Sequence, residues 1–132
     1  MKGLGSHVSR GLQVGSRVIC HDNSGAKEIQ IINVLNLRGV RNRYPAAGIG
    51  DVVIASVKKG KPEMVKKVVR ALIVRQRMPF KRPNGTTLQF EDNAAVLITE
   101  DGLPVGTEIK GAVAKEITER YPKVSAIAPA VV

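Results

Sequence analysis

Tryptophan is absent from this 132-residue chain, which has only two phenylalanines and two tyrosines. A protein that reads single-stranded nucleic acid by stacking bases needs several rings on one face, so this composition argues against a stacking platform. The one cysteine, Cys20, has no partner for an internal disulfide, which points to a reducing, intracellular compartment. With only His7 and His21 beside it, no structural zinc spacing exists. Nowhere do about eighteen apolar residues follow one another; the runs are strand-sized, such as Ala94 to Ile98, and a membrane-spanning helix is excluded. Residues 1–13 carry Lys2, His7 and Arg10 among glycines and serines without an apolar stretch of signal-peptide length. They read as a basic N-terminal extension.

Acidic residues are scarce as well, 11 against 21 lysines and arginines, for a net charge of +10. The imbalance is uneven. Residues 1–83 hold 17 basic and 4 acidic side chains (+13), whereas 84–132 hold 4 basic and 7 acidic ones (−3). Self-repulsion at +13 destabilises a compact state unless an anion relieves it, and a polyanion such as nucleic acid is the natural partner.

From Ser16 onward, short apolar segments alternate with turn signals, the pattern of a small all-β sandwich or barrel. Strands are expected at 17–21, 28–35, 51–57, 66–77, 86–90 and 94–99, with a short piece at 107–110. Asp22-Asn23-Ser24-Gly25 turns the first into the second, and Arg82-Pro83-Asn84-Gly85 predicts a hairpin. Val113, Ile117 and Tyr121 then recur every four residues as a helical stripe, with Lys115, Glu116 and Glu119 expected outward. Pro122 can open a second short helix and Pro129 must end it. Residues 14–132 are expected to fold as one domain with C-terminal helices from about 112.

Cys20, His21, Asp22 and Ser24 contain the residue types of a nucleophilic triad. Neighbouring strand residues point to opposite faces, however, so Cys20 and His21 cannot face each other and no catalytic site is expected. The simpler reading makes Cys20 a core residue and has Asp22 and Ser24 bond the turn. Gly48-Ile49-Gly50 continues into neither a phosphate-loop nor a dinucleotide motif. No metal, cofactor or small-molecule substrate is expected. Binding remains: Lys58, Lys59, Lys61, Lys66, Lys67, Arg70, Arg75, Arg77, Lys81 and Arg82 lie within 25 residues, and the 36–50 loop adds Arg38, Arg41 and Arg43. These are the candidate phosphate contacts, with Arg75 and Arg77 able to grip phosphate bidentately. Past residue 83, Glu116, Glu119, Arg120 and Lys123 are candidate protein-docking residues that RNA avoids.

Ala71-Leu72-Ile73-Val74, then Asn84-Gly85, Phe90, Asn93 and Val96-Leu97 resemble the universal large-subunit ribosomal protein fourteen family. Asp22-Asn23-Ser24-Gly25-Ala26-Lys27, Gly48 to Asp51, and Gly106-Thr107 leading into Gly111 extend the resemblance over nearly the whole chain. The Pro45 to Asp51 and Lys58 to Glu63 segments, with the extension before Gly15, resemble its archaeal and eukaryotic branch, and the archaeal side in particular. The resemblance implies a mainly β fold: a small five-stranded β-barrel with a projecting basic β-hairpin and a short C-terminal helical appendage. It implies a non-enzymatic, cytoplasmic ribosomal component that binds large-subunit rRNA near the subunit interface. Implied partners are neighbouring large-subunit proteins, small-subunit rRNA at a bridge, and the anti-association initiation factor six. The competing reading is a mobile barrel-fold translation factor or RNA chaperone, whose stacking rings would have to be Tyr44, Phe80 or Phe90.

Overall fold

The computed structural model describes residues 8–35 and 44–132. Its strands are β1 (Leu12–Gln13), β2 (Arg17–Cys20), β3 (Ala26–Val34), β4 (Ala46–Ala47), β5 (Val52–Gly60), β6 (Val68–Arg75), β7 (Phe80–Lys81), β8 (Thr87–Leu88), β9 (Ala94–Leu97), β10 (Ala112–Val113) and β11 (Ala130–Val131). Helices α1 (Lys115–Arg120) and α2 (Pro122–Ala126) lie between the last two strands. β2, β3, β5, β6 and β9 close into a barrel, completed where β9 runs parallel to β2. Three two-stranded pairs flank it: β1 with β4, β7 with β8, and β10 with β11 in parallel.

Side-chain alternation builds the barrel interior. On β5, Val53, Ala55 and Val57 are buried while Val52, Ile54 and Ser56 between them are partly exposed. β3 keeps Ala26, Ile29, Ile31 and Val34 inside despite three register shifts against β5, because each shift restores the inward face after an irregular step. Ala71 to Arg75 on β6 and all of β9 are buried on both faces, as a continuous apolar run suggests. Their second cover is the chain after β9: Ala114 N–H donates to the Val74 carbonyl at 3.3 Å, and Val105 N–H to that of Leu97 at 3.0 Å. Ile117 and Val124 anchor the two helices, both fully buried, each contributing roughly 1.5–3 kcal/mol.

The structure moves several expected boundaries. The 66–77 strand is shorter, since Lys66 has a positive φ of 71°. The 107–110 piece is no strand; only Ile109 bridges Asp22. Val113 lies on β10, not on a helix, and Tyr121 lies between the helices. Glu116 is buried, not outward, because Arg82 meets it from the β7–β8 hairpin. Of the expected N-terminal extension, Val8 to Gln13 lies against the barrel: Gln13 pairs with Ala46, and Gln76 Nε2 donates to the Ser9 carbonyl at 3.1 Å.

Candidate nucleic-acid interface

Past Ser56, β5 leaves its partner β6 and continues along β3, with Glu28 beside Lys59 and Ala26 beside Gly60. Gly60 has a φ of 152°, and any Cβ there would strike the Gly25 carbonyl, so glycine is required at this close approach. The chain then folds over the turn at Gly25: Lys61 N–H donates to the Gly25 carbonyl at 2.9 Å, and the Lys61 stem and Met64 lie over that glycine. Met64 and Val65 N–H groups both donate to the Lys61 carbonyl, at 2.8 and 3.1 Å. The backbone of 58–67 is thereby fixed, and Lys58, Lys59, Lys61, Lys66 and Lys67 stand exposed on it.

Acids are few around this loop. Glu28 takes Arg17 at 3.0 Å and Lys59 at 3.8 Å, a shared partner that leaves the Lys59 side chain 70% exposed. Among the described residues, no carboxylate pairs with Lys58, Lys61, Lys66 or Lys67. Arg17 and exposed Lys27 join the same wall through the β2–β3–β5 pairing. Sequence reasoning missed both, since the bulged register that brings β3 beside Lys59 has no local signal. Exposed cations on a fixed frame, with no ring between them, suit phosphate contact over base stacking.

The arginines of the sequence cluster divide differently. Arg75 is buried: Nε lies 3.2 Å from Asp92, Nη1 donates to the Ala112 carbonyl at 3.4 Å, and Nη2 donates to His21 Nδ1. Arg82 grips Glu116 with Nε and Nη2 (2.8 Å at the shortest) and donates to the Val132 carbonyl at 2.6 Å. In this structure both guanidiniums hold the fold together, which corrects their assignment as free phosphate grips. Each lies beside an opposite charge: Arg82 bonds Glu116 through Nε and Nη2, whereas the buried Nε of Arg75 makes no hydrogen bond although Asp92 is near. Arg77 stays exposed, its Nε donating to the Glu91 carbonyl at 2.8 Å. It borders an open hollow of about 460 Å³ with Gln89 and Phe90. Arg70 lies 3.9 Å from Glu100, and Lys81 is exposed. Arg38, Arg41 and Arg43 lie outside the described residues.

The C-terminal set separates too. Glu116 is inside, whereas Glu119 and Lys123 are exposed and Arg120 reaches the Gly50 carbonyl at 3.5 Å. Glu119 lines a shallow hollow of about 450 Å³ with Lys115, Thr118, Ser125 and Val131.

Cys20 and His21 belong to separate networks. The buried Asp22 carboxylate accepts from the Ser24 hydroxyl at 2.5 Å, the Ser24 N–H at 3.2 Å and the Leu97 N–H at 3.0 Å, with the Cys20 thiol 3.3 Å away. Burial first, and then the Asp22 charge, push the thiol up to about 12, so it is no nucleophile near neutral pH. His21 is lowered by burial and then by Arg75, and serves as a neutral acceptor for that guanidinium. Of the rings, Phe80 is 2% exposed and is withdrawn as a stacking candidate. Phe90 is half-buried, and Tyr44 is 79% exposed.

The profile of the ribosomal protein L14p/L23e family matches residues 11–132. The chain is similar to the large ribosomal subunit protein uL14 of Methanocorpusculum labreanum, 50% identical over the full length of both. It is also similar to that of Thermoplasma volcanium, 53% identical over the full length of both, and that of Methanococcus maripaludis, 55% identical over 97% of each. These relatives are archaeal, in keeping with the branch that the 45–51 and 58–63 segments resemble. The chain belongs to the ribosomal protein L14p/L23e family, a family of structural, non-enzymatic proteins of the large ribosomal subunit.

Proposed function

We propose that this structural component of the large subunit binds large-subunit rRNA through the exposed lysine wall of β5 and its following loop. The observation that carries this reading is the fixed loop at 58–67, which holds five exposed lysines with a single shared acid among their described partners. Arg17, Lys27, Arg77 and Lys81 extend the phosphate-contacting surface, and Arg38, Arg41 and Arg43 belong to the same proposal from sequence. Recognition rests on RNA shape, since exposed base-stacking rings are nearly absent. Family membership supports a position near the subunit interface in the cytoplasmic ribosome and a bridge to small-subunit rRNA. The appendage, through exposed Glu119 and Lys123 with Arg120, docks neighbouring ribosomal proteins and the anti-association initiation factor six. Glu116 supports that surface from inside.

Binding to large-subunit rRNA fragments, compared with an unrelated structured RNA across a salt series, tests the reading. One ribosomal fragment preferred at near-physiological salt is the expected result. Equal, steeply salt-sensitive binding to both RNAs would overturn it in favour of a mobile RNA chaperone.

A further inference from the structure

The 58–67 loop closes through a β-bulge. Lys66 N–H donates to the Val57 carbonyl and Val57 N–H donates to the Lys67 carbonyl, both at 2.9 Å, so Val57 faces two residues. The first residue of such a bulge takes the left-handed conformation and is ordinarily glycine, because a Cβ there crowds its own carbonyl. Here it is lysine. Lys66 has a φ of 71°, and among the described residues it is the only one other than glycine with a positive φ. The side chain offers no structural compensation: it is exposed, and no carboxylate among the described residues pairs with it. Nor can the loop relax, since Lys61 and Met64 pin its other side over Gly25.

We infer that lysine occupies this glycine position because its ammonium is a fixed contact for an RNA phosphodiester, with backbone strain tolerated for binding. The inference rests on the rRNA-binding reading and deepens it, singling out one position of the wall as an anchor whose stability and affinity oppose each other. Strain of this kind persists where surrounding structure over-determines the conformation, and such positions concentrate at binding sites. The bulge fixes the backbone from which the chain projects. Less ordering remains to be done on binding than for a lysine on a free loop.

Lys66→Gly, Lys66→Asn and Lys66→Arg separate conformation from charge. Glycine should raise the melting temperature by about 2–4 °C. The same variant should lose about tenfold in affinity for a large-subunit rRNA fragment, with a salt slope shallower by about one. Asparagine, which tolerates the left-handed region, should lose affinity equally, whereas arginine should keep the affinity and the slope of the wild type. Wild-type affinity in Lys66→Gly overturns the inference, and so does an unchanged or lowered melting temperature. A parallel Lys58→Ala/Lys59→Ala variant distinguishes the levels. If it loses affinity while Lys66→Gly does not, the anchor alone is wrong; if neither loses affinity, the rRNA reading of this wall fails with it.

Discussion

Two regions of the same cationic stretch have opposite fates. At 58–67 the lysines stand out from a pinned backbone with few acids in reach. At 75 and 82 the guanidiniums turn inward, Arg75 to Asp92 and His21, Arg82 to Glu116. The difference follows from side-chain chemistry. Arginine's planar fork can satisfy several acceptors inside a protein, while the compact ammonium of lysine is strongly hydrated and favours the surface. Charge density along a sequence therefore marks a region that carries cations, and the fold decides which of them face a partner. Arg82 serves as an internal lock, fastening the β7–β8 hairpin to α1 and to Val132.

The sharpest way to break the contrast is to remove one half of the lock. Arg82→Ala leaves the Glu116 carboxylate, 4% exposed, without this bidentate partner and should cost about 3–5 kcal/mol in denaturant unfolding. Replacing both, as Arg82→Met with Glu116→Leu, should recover most of that loss. A loss below about 0.5 kcal/mol in Arg82→Ala, the range of an ordinary surface change, would return Arg82 to the exposed class.

Arg75 can be probed through pH. His21 is held below its usual 6.5 in the folded protein, by burial first and by Arg75 next, with Asp92 opposing and Lys110 adding to the effect. The unfolded chain then takes up a proton before the folded one does as pH falls through 6.5. Stability should fall below that pH, because a protonated imidazole cannot accept from Arg75. His21→Gln should flatten this part of the unfolding profile, and an unchanged profile would mean that His21 is not the group that sets it.

Smallest should be the effect of Lys67→Ala on stability, within about 0.5 kcal/mol, since its side chain is exposed and pairs with no described carboxylate. A larger loss would mean that the lysine wall, too, holds the fold together.

Much of the fold was legible locally. The strands β5 and β6, the Asn84-Gly85 hairpin and the helix opened by Pro122 all come from short-range pattern and turn chemistry. What sequence missed depends on distant segments meeting. β1 pairs with the distant β4, Leu12 opposite Ala47, and β10 runs parallel to β11 only because two helices intervene. Glu116 sits on what the helical stripe makes an outward face, and nothing local shows that Arg82 lands on it. The candidate site follows the same rule: lysines next to Gly60 and Pro62 were readable as an exposed connection, whereas the roles of Arg75 and Arg82 needed their partners.

The most direct test of the division is the salt dependence of rRNA-fragment binding by a Lys58→Ala/Lys59→Ala/Lys61→Gln/Lys67→Ala variant, in which glutamine keeps the stem that packs over Gly25, with its unfolding measured alongside. Removing four phosphate contacts should flatten the log–log salt slope by about 3 and weaken binding at least a hundredfold at low salt, while stability changes little. An unchanged slope in a folded variant would contradict the account and move the interface elsewhere on the molecule.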